Sequence, residues 1–348
     1  MAKAKEEKLN INAVLRELKQ NGPQRLYLLW GPEDYLREYF LGELKKLCLP
    51  DGEDSFCYKR LEGPELDPHA LQQAVDAMPF LADRTLVELR AVDLNRLKDA
   101  DKVLEALKDI PDYCTVVFVQ PADYEPDGRL KQIKKLRTLA KEIKFTQQAQ
   151  GDLTKWISKR FAALGKGIDI NASQRLIFIS GDLMNRLIPE IEKIAAYAKG
   201  EKVTVADVEA VAHHIPEAII FDMTDQISQR QLNNAMETLA ELLSDKNNEP
   251  IAMTAMLGLQ MKRLYAARLA IEQKLGMKYV MDVCKYKQEY PATKLMQAAR
   301  GYSLQQLKEA VELCAETDYR MKSSGGDPRE LFKELVVRIA AGESNEKR

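Results

Sequence analysis

Up to about residue 150, short runs of almost wholly apolar residues alternate with stretches whose apolar residues recur every three or four positions. Beyond that point only the helical spacing continues. The apolar runs are Leu26–Trp30, Phe56–Leu61, Thr85–Leu89, Thr115–Val119 and a weaker Ile143–Phe145, each predicted as a strand. Between and around them, Ile11–Leu18, Tyr35–Leu47, Pro68–Met78, Leu94–Leu107 and Arg129–Ile143 carry helical spacing. Five strands alternating with helices predict a parallel, three-layer α/β domain over residues 1–150.

The rest reads as all-α. Leu153–Leu164 is predicted helical and stops at Gly165. Asn171 is the expected cap of a helix ending at Ser180, and Asp182 of a helix over Leu183–Lys199. Thr204 caps a last short helix through Ala212, completing a small helical domain at 151–215. From 216 to 342 the pattern predicts a second all-helical domain, broken at Asn247-Asn248, Gly276, Pro291, Gly301 and Gly325-Gly326. Residues 343–348 read as a frayed, flexible tail.

One stretch breaks the pattern. Apolar positions Leu71, Ala74, Val75 and Met78 line a helix face, and Pro79 then removes a donor and restricts Met78, so the helix stops there. Phe80 and Leu81 follow side by side, and polar Asp83-Arg84 comes next. Adjacent side chains point in different directions, so one core-facing side hardly buries both. Two readings stand: Met78, Pro79, Phe80 and Leu81 form an apolar knob for a partner's pocket, or both large residues fold back as ordinary core.

The strand-loop-helix at Gly31 lies where a phosphate-binding loop would. That motif needs Gly, four residues, then Gly-Lys and Ser or Thr: glycines admit phosphate to backbone donors, Lys neutralises it, and the hydroxyl holds magnesium. Here Gly31 is kept, but Leu36 stands at the second glycine, Arg37 at the lysine and Glu38 at the hydroxyl. Glu33 and Asp34 add two carboxylates that repel a triphosphate, and Pro32 removes a donor. Leu86-Val87-Glu88-Leu89-Arg90 lacks the consecutive acids that hold magnesium and activate water. Nucleotide hydrolysis is therefore not expected.

Composition narrows the classes further. With 52 Lys and Arg against 53 Asp and Glu, the whole chain has no attraction to nucleic acid, and any such binding is local. The local candidate is Arg129 to Lys144, with seven basic residues against Glu142; Lys131, Lys134, Lys135 and Arg137 are its centre. It reads either as a surface for DNA phosphate or an acidic partner, or as a solvated helix face. The N-terminal octet has no apolar core, so no secretory leader is expected, and no apolar run is long enough to span a membrane. Five scattered cysteines without a Cys-x-x-Cys pair point to a reducing cytoplasm, without disulfides or zinc. The pair His213-His214 has no cysteine nearby, so no metal is expected, and Met253, Met256 and Met261 read as packing. No nucleophile–base constellation emerges; no catalytic residue and no cofactor are expected.

Taken in order, several stretches resemble the delta subunits of the bacterial DNA polymerase III clamp loader. They are Leu28 to Leu36, Met78 to Arg84, Val116 to Val119 with the basic run after it, Gly181-Asp182, Ala298 to Ser303, and Thr317 to Gly325. The resemblance spans nearly the whole chain. It implies an AAA+-like α/β domain with a degenerate phosphate loop, a small helical lid and an all-helical collar that joins a hetero-pentamer. It further implies a subunit that binds and opens the ring-shaped sliding clamp, the beta subunit, for loading on primed DNA, without hydrolysing ATP. The clamp-binding pair then corresponds to Phe80 and Leu81, in the order Phe-Leu where the family commonly has Leu-Phe. An ATP-binding member of the same fold, a delta-prime-like subunit and a stand-alone DNA-binding adaptor are the alternatives. The delta-prime reading wants a cysteine-rich zinc module and a Ser-Arg-Cys motif, and neither is found.

Overall fold

The computed structural model describes residues 9–50, 52, 56–63, 66–80, 82–286, 289–323 and 326–342. The expected tail at 343–348, and Leu81 of the expected knob, lie outside the described residues. The chain divides into two compact units, Met1–Ala149 with Leu183–Asn185, and Gln150–Asp182 with Arg186–Arg348.

The first unit runs α1 (Ile11–Asn21), β1 (Leu26–Trp30), α2 (Asp34–Cys48), β2 (Tyr58–Glu62), α3 (Pro68–Asp76), β3 (Thr85–Arg90), α4 (Ala100–Ala106), β4 (Cys114–Val119), α5 (Lys131–Leu139) and β5 (Lys141–Lys144). The five strands form one parallel sheet in the order β2-β3-β4-β1-β5, with Leu28 paired to Phe118 on one side and Glu142 on the other. The apolar strands β1 and β4 are wholly buried because helices cover both faces. The charged strands β2 and β5 take the edges, where one side of the ladder is open. One face packs Leu28, Trp30, Val87, Val116 and Phe118 against Leu71 and Val75 of α3, Val103 and Leu104 of α4, and Leu136 of α5. On the other, Tyr27 meets Phe40 of α2 edge-on, ring centroids 5.7 Å apart.

Several element ends differ from the expected ones. Helix α3 stops at Asp76: Ala77 is already extended (ψ 118°), two residues before Pro79. Helix α4 begins only at Ala100, because the Asp93 carboxylate accepts from the Asn95 N–H and makes a turn where helix was expected. The basic helix ends at Leu139, and Lys141–Lys144 pairs with β1 instead, the free edge of that ladder overriding helical spacing. Strand β2 starts at Tyr58, leaving Phe56 in the turn before it.

The second unit contains α6 (Gln150–Ala163), β6 (Gly167–Ile168), α7 (Ile170–Ser180), most of α8 (Met184–Tyr197), β7 (Lys202–Val203), α9 (Val205–Val211), α10 (Pro216–Ser228), α11 (Leu232–Ser244), α12 (Pro250–Glu272), α13 (Gly276–Cys284), α14 (Glu289–Ala299), α15 (Leu304–Ser323) and α16 (Pro328–Ala341). The expectation that strands end near residue 150 is corrected by β6 and β7, a two-residue parallel pair too short to leave a period in the sequence. Asp169, not Asn171, stands at the start of α7. Thr204 caps α9 as expected, in a reciprocal box with Asp207. Pro291 does not break α14, since it lies in the first turn, where no helical acceptor waits for its missing N–H.

Around α12 the long helices share one core: Met253, Leu257, Met261 and Leu264 meet Leu295, Leu307, Leu313 and Leu335. The link from α14 to α15 is tight. Tyr302 donates its hydroxyl to the Thr224 carbonyl (2.6 Å), and a Cβ on Gly301 would lie 2.3 Å from the Ser228 carbonyl oxygen. Backbone, not a flexible side chain, fills that space, so Gly301→Ala is expected to lower stability by about 1–3 kcal/mol. Thermal unfolding should show a melting temperature several degrees lower, with unchanged secondary structure before the transition.

Candidate functional site

The end of α3 is built to hold its apolar residues out of the core. Beyond the helix end at Asp76, the Phe80 N–H donates to Cys57 Sγ (3.2 Å), and the Cys57 thiol donates back to the Phe80 carbonyl (3.4 Å). Cys57 itself is buried at the mouth of β2, so the clasp is internal. Its consequence is external: Phe80 is 65% exposed and Met78 81%, with Pro79 half-buried between them. Tyr113 Oη, donating to the Asp76 carbonyl at 3.3 Å, holds the last turn of the helix. Core placement of Phe80, the bland reading of its spacing, is thus not what the fold adopts.

The loop after β1 is closed by its own residues. Gly31 has φ +117°, and a Cβ there would lie 2.5 Å from the Phe145 carbonyl oxygen. The glycine admits this chain's own backbone: the Phe145 N–H donates to the Trp30 carbonyl and the Glu33 N–H to the Phe145 carbonyl. Arg37, in the lysine position, is buried and turned inward, donating to the Gly31 carbonyl (2.8 Å) and pairing with Asp34. Leu36 is core. Glu33 is fully buried, and its carboxylate accepts from the Met184 N–H at 3.1 Å, within the same unit.

Beside the loop runs a charge network that sequence reasoning missed. Arg90, at the end of β3, grips Glu38 with both terminal nitrogens, each 2.9 Å from a carboxylate oxygen, and pairs with Glu88 through Nε. Glu88 also accepts from Tyr58 Oη (2.7 Å) and Lys45 Nζ (2.8 Å). Glu38 occupies the position where the phosphate motif has its magnesium-binding hydroxyl. A guanidinium therefore lies against the very side chain that would have to hold the metal. The signal in the sequence was an acid at 38 and a base at 90, legible as a pair only once β3 is known to bring them together. Burial pushes the Glu88 carboxyl up, but its three donors outweigh that and hold it below the ordinary 4.5.

The basic run divides on folding. Lys135 pairs with Asp101, Arg137 with Glu142, Arg129 with Asp127 and Lys141 with Glu17. Among the described residues Lys131 and Lys134 are exposed on α5 without an ion pair. His214 lies 3.6 Å from Glu209, and no group of three metal-ligating side chains converges among the described residues. No helix among them is long and apolar enough to cross a membrane.

The chain is thus an α/β protein whose five-stranded parallel sheet carries a phosphate-type loop closed by its own residues, with helices following it in sequence. Family profiles agree over both parts: the DNA polymerase III delta subunit matches residues 27–146, and its C-terminal domain matches residues 217–339. The chain belongs to the DNA polymerase III delta subunit family. Among similar proteins, the DNA polymerase III subunit delta of Bacillus subtilis is 24% identical over 94% of this chain and 96% of its own length. A probable DNA polymerase III subunit delta of Aquifex aeolicus is 19% identical over 90% and 91%. The solved Bacillus subtilis DNA clamp loader delta protein superposes with a TM-score of 0.51 at 20% identity, covering 95% of this chain and all of that one.

The Glu88 network predicts an acid limb. A carboxyl held below its unfolded value stabilises the fold above about pH 4.5, and that contribution is lost as pH falls through the depressed folded value. Glu88→Gln is expected to cost about 3–5 kcal/mol at neutral pH, because Lys45 and Arg90 lose their buried partner. It should also flatten the fall in stability below about pH 4.5, measured by denaturant titration at a series of pH values.

Proposed function

We propose that this subunit binds the ring-shaped sliding clamp, the beta subunit, and favours its opened form for loading on primed DNA, without hydrolysing ATP. The observation that carries the reading is the exposed Phe80 ring, clasped by its backbone to Cys57 at the end of α3. Burying a Phe and a Leu from water contributes about 1.5–3 kcal/mol each. Together, Phe80 and Leu81 therefore supply roughly two to four decades of affinity. The clamp opens only so far as this tip binds the opened ring better than the closed one.

The rest of the reading follows the family. The α/β region over 1–150 contacts the clamp, residues 151–215 act as a lid, and residues 216–342 form the collar that joins the other loader subunits in a hetero-pentamer. Lys131 and Lys134, left without ion pairs, are the members of the basic run best able to meet DNA phosphate or an acidic partner. A bacterial cytoplasmic setting fits five buried, unbridged cysteines. The loop does not fit a nucleotide or its magnesium: Gly31 is filled by Phe145 backbone, Arg37 is spent on Gly31 and Asp34, and Arg90 stands against Glu38.

Two measurements check this. Replacing Phe80 and Leu81 together by Ala should abolish capture of the purified clamp while leaving the melting temperature unchanged; a double variant that still binds normally overturns the reading. Calorimetric titration with magnesium-ATP should give no binding isotherm, and tight, magnesium-dependent binding would return the chain to the ATP-binding class.

A further inference from the structure

Phe56 has an apolar ring in water with no place in the core. It is 94% exposed, in the turn just ahead of β2, and its ring stands edge-on to that of Phe80 with centroids 6.5 Å apart at 89°. Sequence spacing assigned it to the strand, yet the strand begins two residues later, at Tyr58. What brings the two rings together is the residue between: Cys57, next to Phe56, holds the Phe80 N–H and carbonyl on its sulfur. One buried thiol thus aligns two chain segments 23 residues apart and points an aromatic ring outward from each.

We infer that Phe56 is a third element of the clamp-contacting tip, so that the partner's apolar pocket receives a two-segment aromatic peg and not the 80–81 pair alone. This rests on the function proposed above. Size favours a peg over a self-association face. An aromatic side chain buries about 150–250 Å², so Phe56 and Phe80 together offer roughly 300–500 Å². A stable interface between two copies needs about 800 Å² from each. A small cluster of rigid aromatic rings is instead what fills a pocket at the centre of a larger contact. The edge-on pair is a favoured aromatic geometry, so Phe80 is held by its neighbour before any partner arrives, and less freedom is lost on docking.

The test uses the full chain and the purified clamp, with equilibrium affinity read for Phe56→Ala, Phe80→Ala and the double variant. Phe56→Ala is expected to weaken binding tenfold or more at unchanged melting temperature. The double variant should lose less than the product of the single losses, since each ring supports the other. Hydrogen exchange at residues 56–62 should slow when the clamp is added. Normal affinity in Phe56→Ala with loss in Phe80→Ala overturns the inference and leaves the proposed function standing. Normal affinity in both overturns the function itself. A second copy as occupant would appear as concentration-dependent dimerisation abolished by Phe56→Ala, and that too would overturn the inference.

Discussion

Arg90 donates through both terminal nitrogens to Glu38 and through Nε to Glu88, while Glu88 also accepts from Lys45 and Tyr58. Three elements meet in that cluster: α2 carries Glu38 and Lys45, β2 carries Tyr58, and β3 carries Glu88 and Arg90. A charge buried as deeply as Glu88 survives only if every lone pair is answered, so these side chains hold helix and sheet in one arrangement. The same cluster sets what the loop beside it can do. Glu38 cannot coordinate a metal while a guanidinium grips both its oxygens, and removing Arg90 would also take one of three donors from the buried Glu88.

The closed loop applies the same logic to the backbone. Gly31 retains the positive φ that phosphate loops use, but the space it opens is taken by Phe145 at the end of the β5 edge. Arg37 is buried and donates to the carbonyl of Gly31 instead of facing an anion. Phe80 is fixed by backbone hydrogen bonds to the buried Cys57 thiol, and its exposed ring stands edge-on to that of Phe56. Cys57 thus faces inward and Phe80 outward.

Much of this was written locally. The inner strands announced themselves because a strand covered on both faces has no polar alternation, and the loop announced its departure from the phosphate motif at Leu36, Arg37 and Glu38. Pro79 marked the end of the helix only approximately, since the helix stops earlier, at Asp76. The edges were harder. Lys141–Lys144 reads as helix until β1 offers it a free ladder, and β6 with β7 is too short to carry any period. Four of the seven basic residues in the run have their charge offset by Asp101, Asp127, Glu142 and Glu17.

By itself, then, the order of residues determined the alternating α/β region, the helical remainder, the worn phosphate loop and an apolar pair set off by a proline. Each of these depends on neighbours within a few positions, where spacing and backbone chemistry act directly. Only the tertiary structure decided that Arg90 would close on Glu38 across 52 residues, that Cys57 would clasp Phe80 across 23, and that Phe56 would stand in water beside it. Such pairings arise from parallel strands laid side by side, and a parallel ladder joins residues that no local period connects.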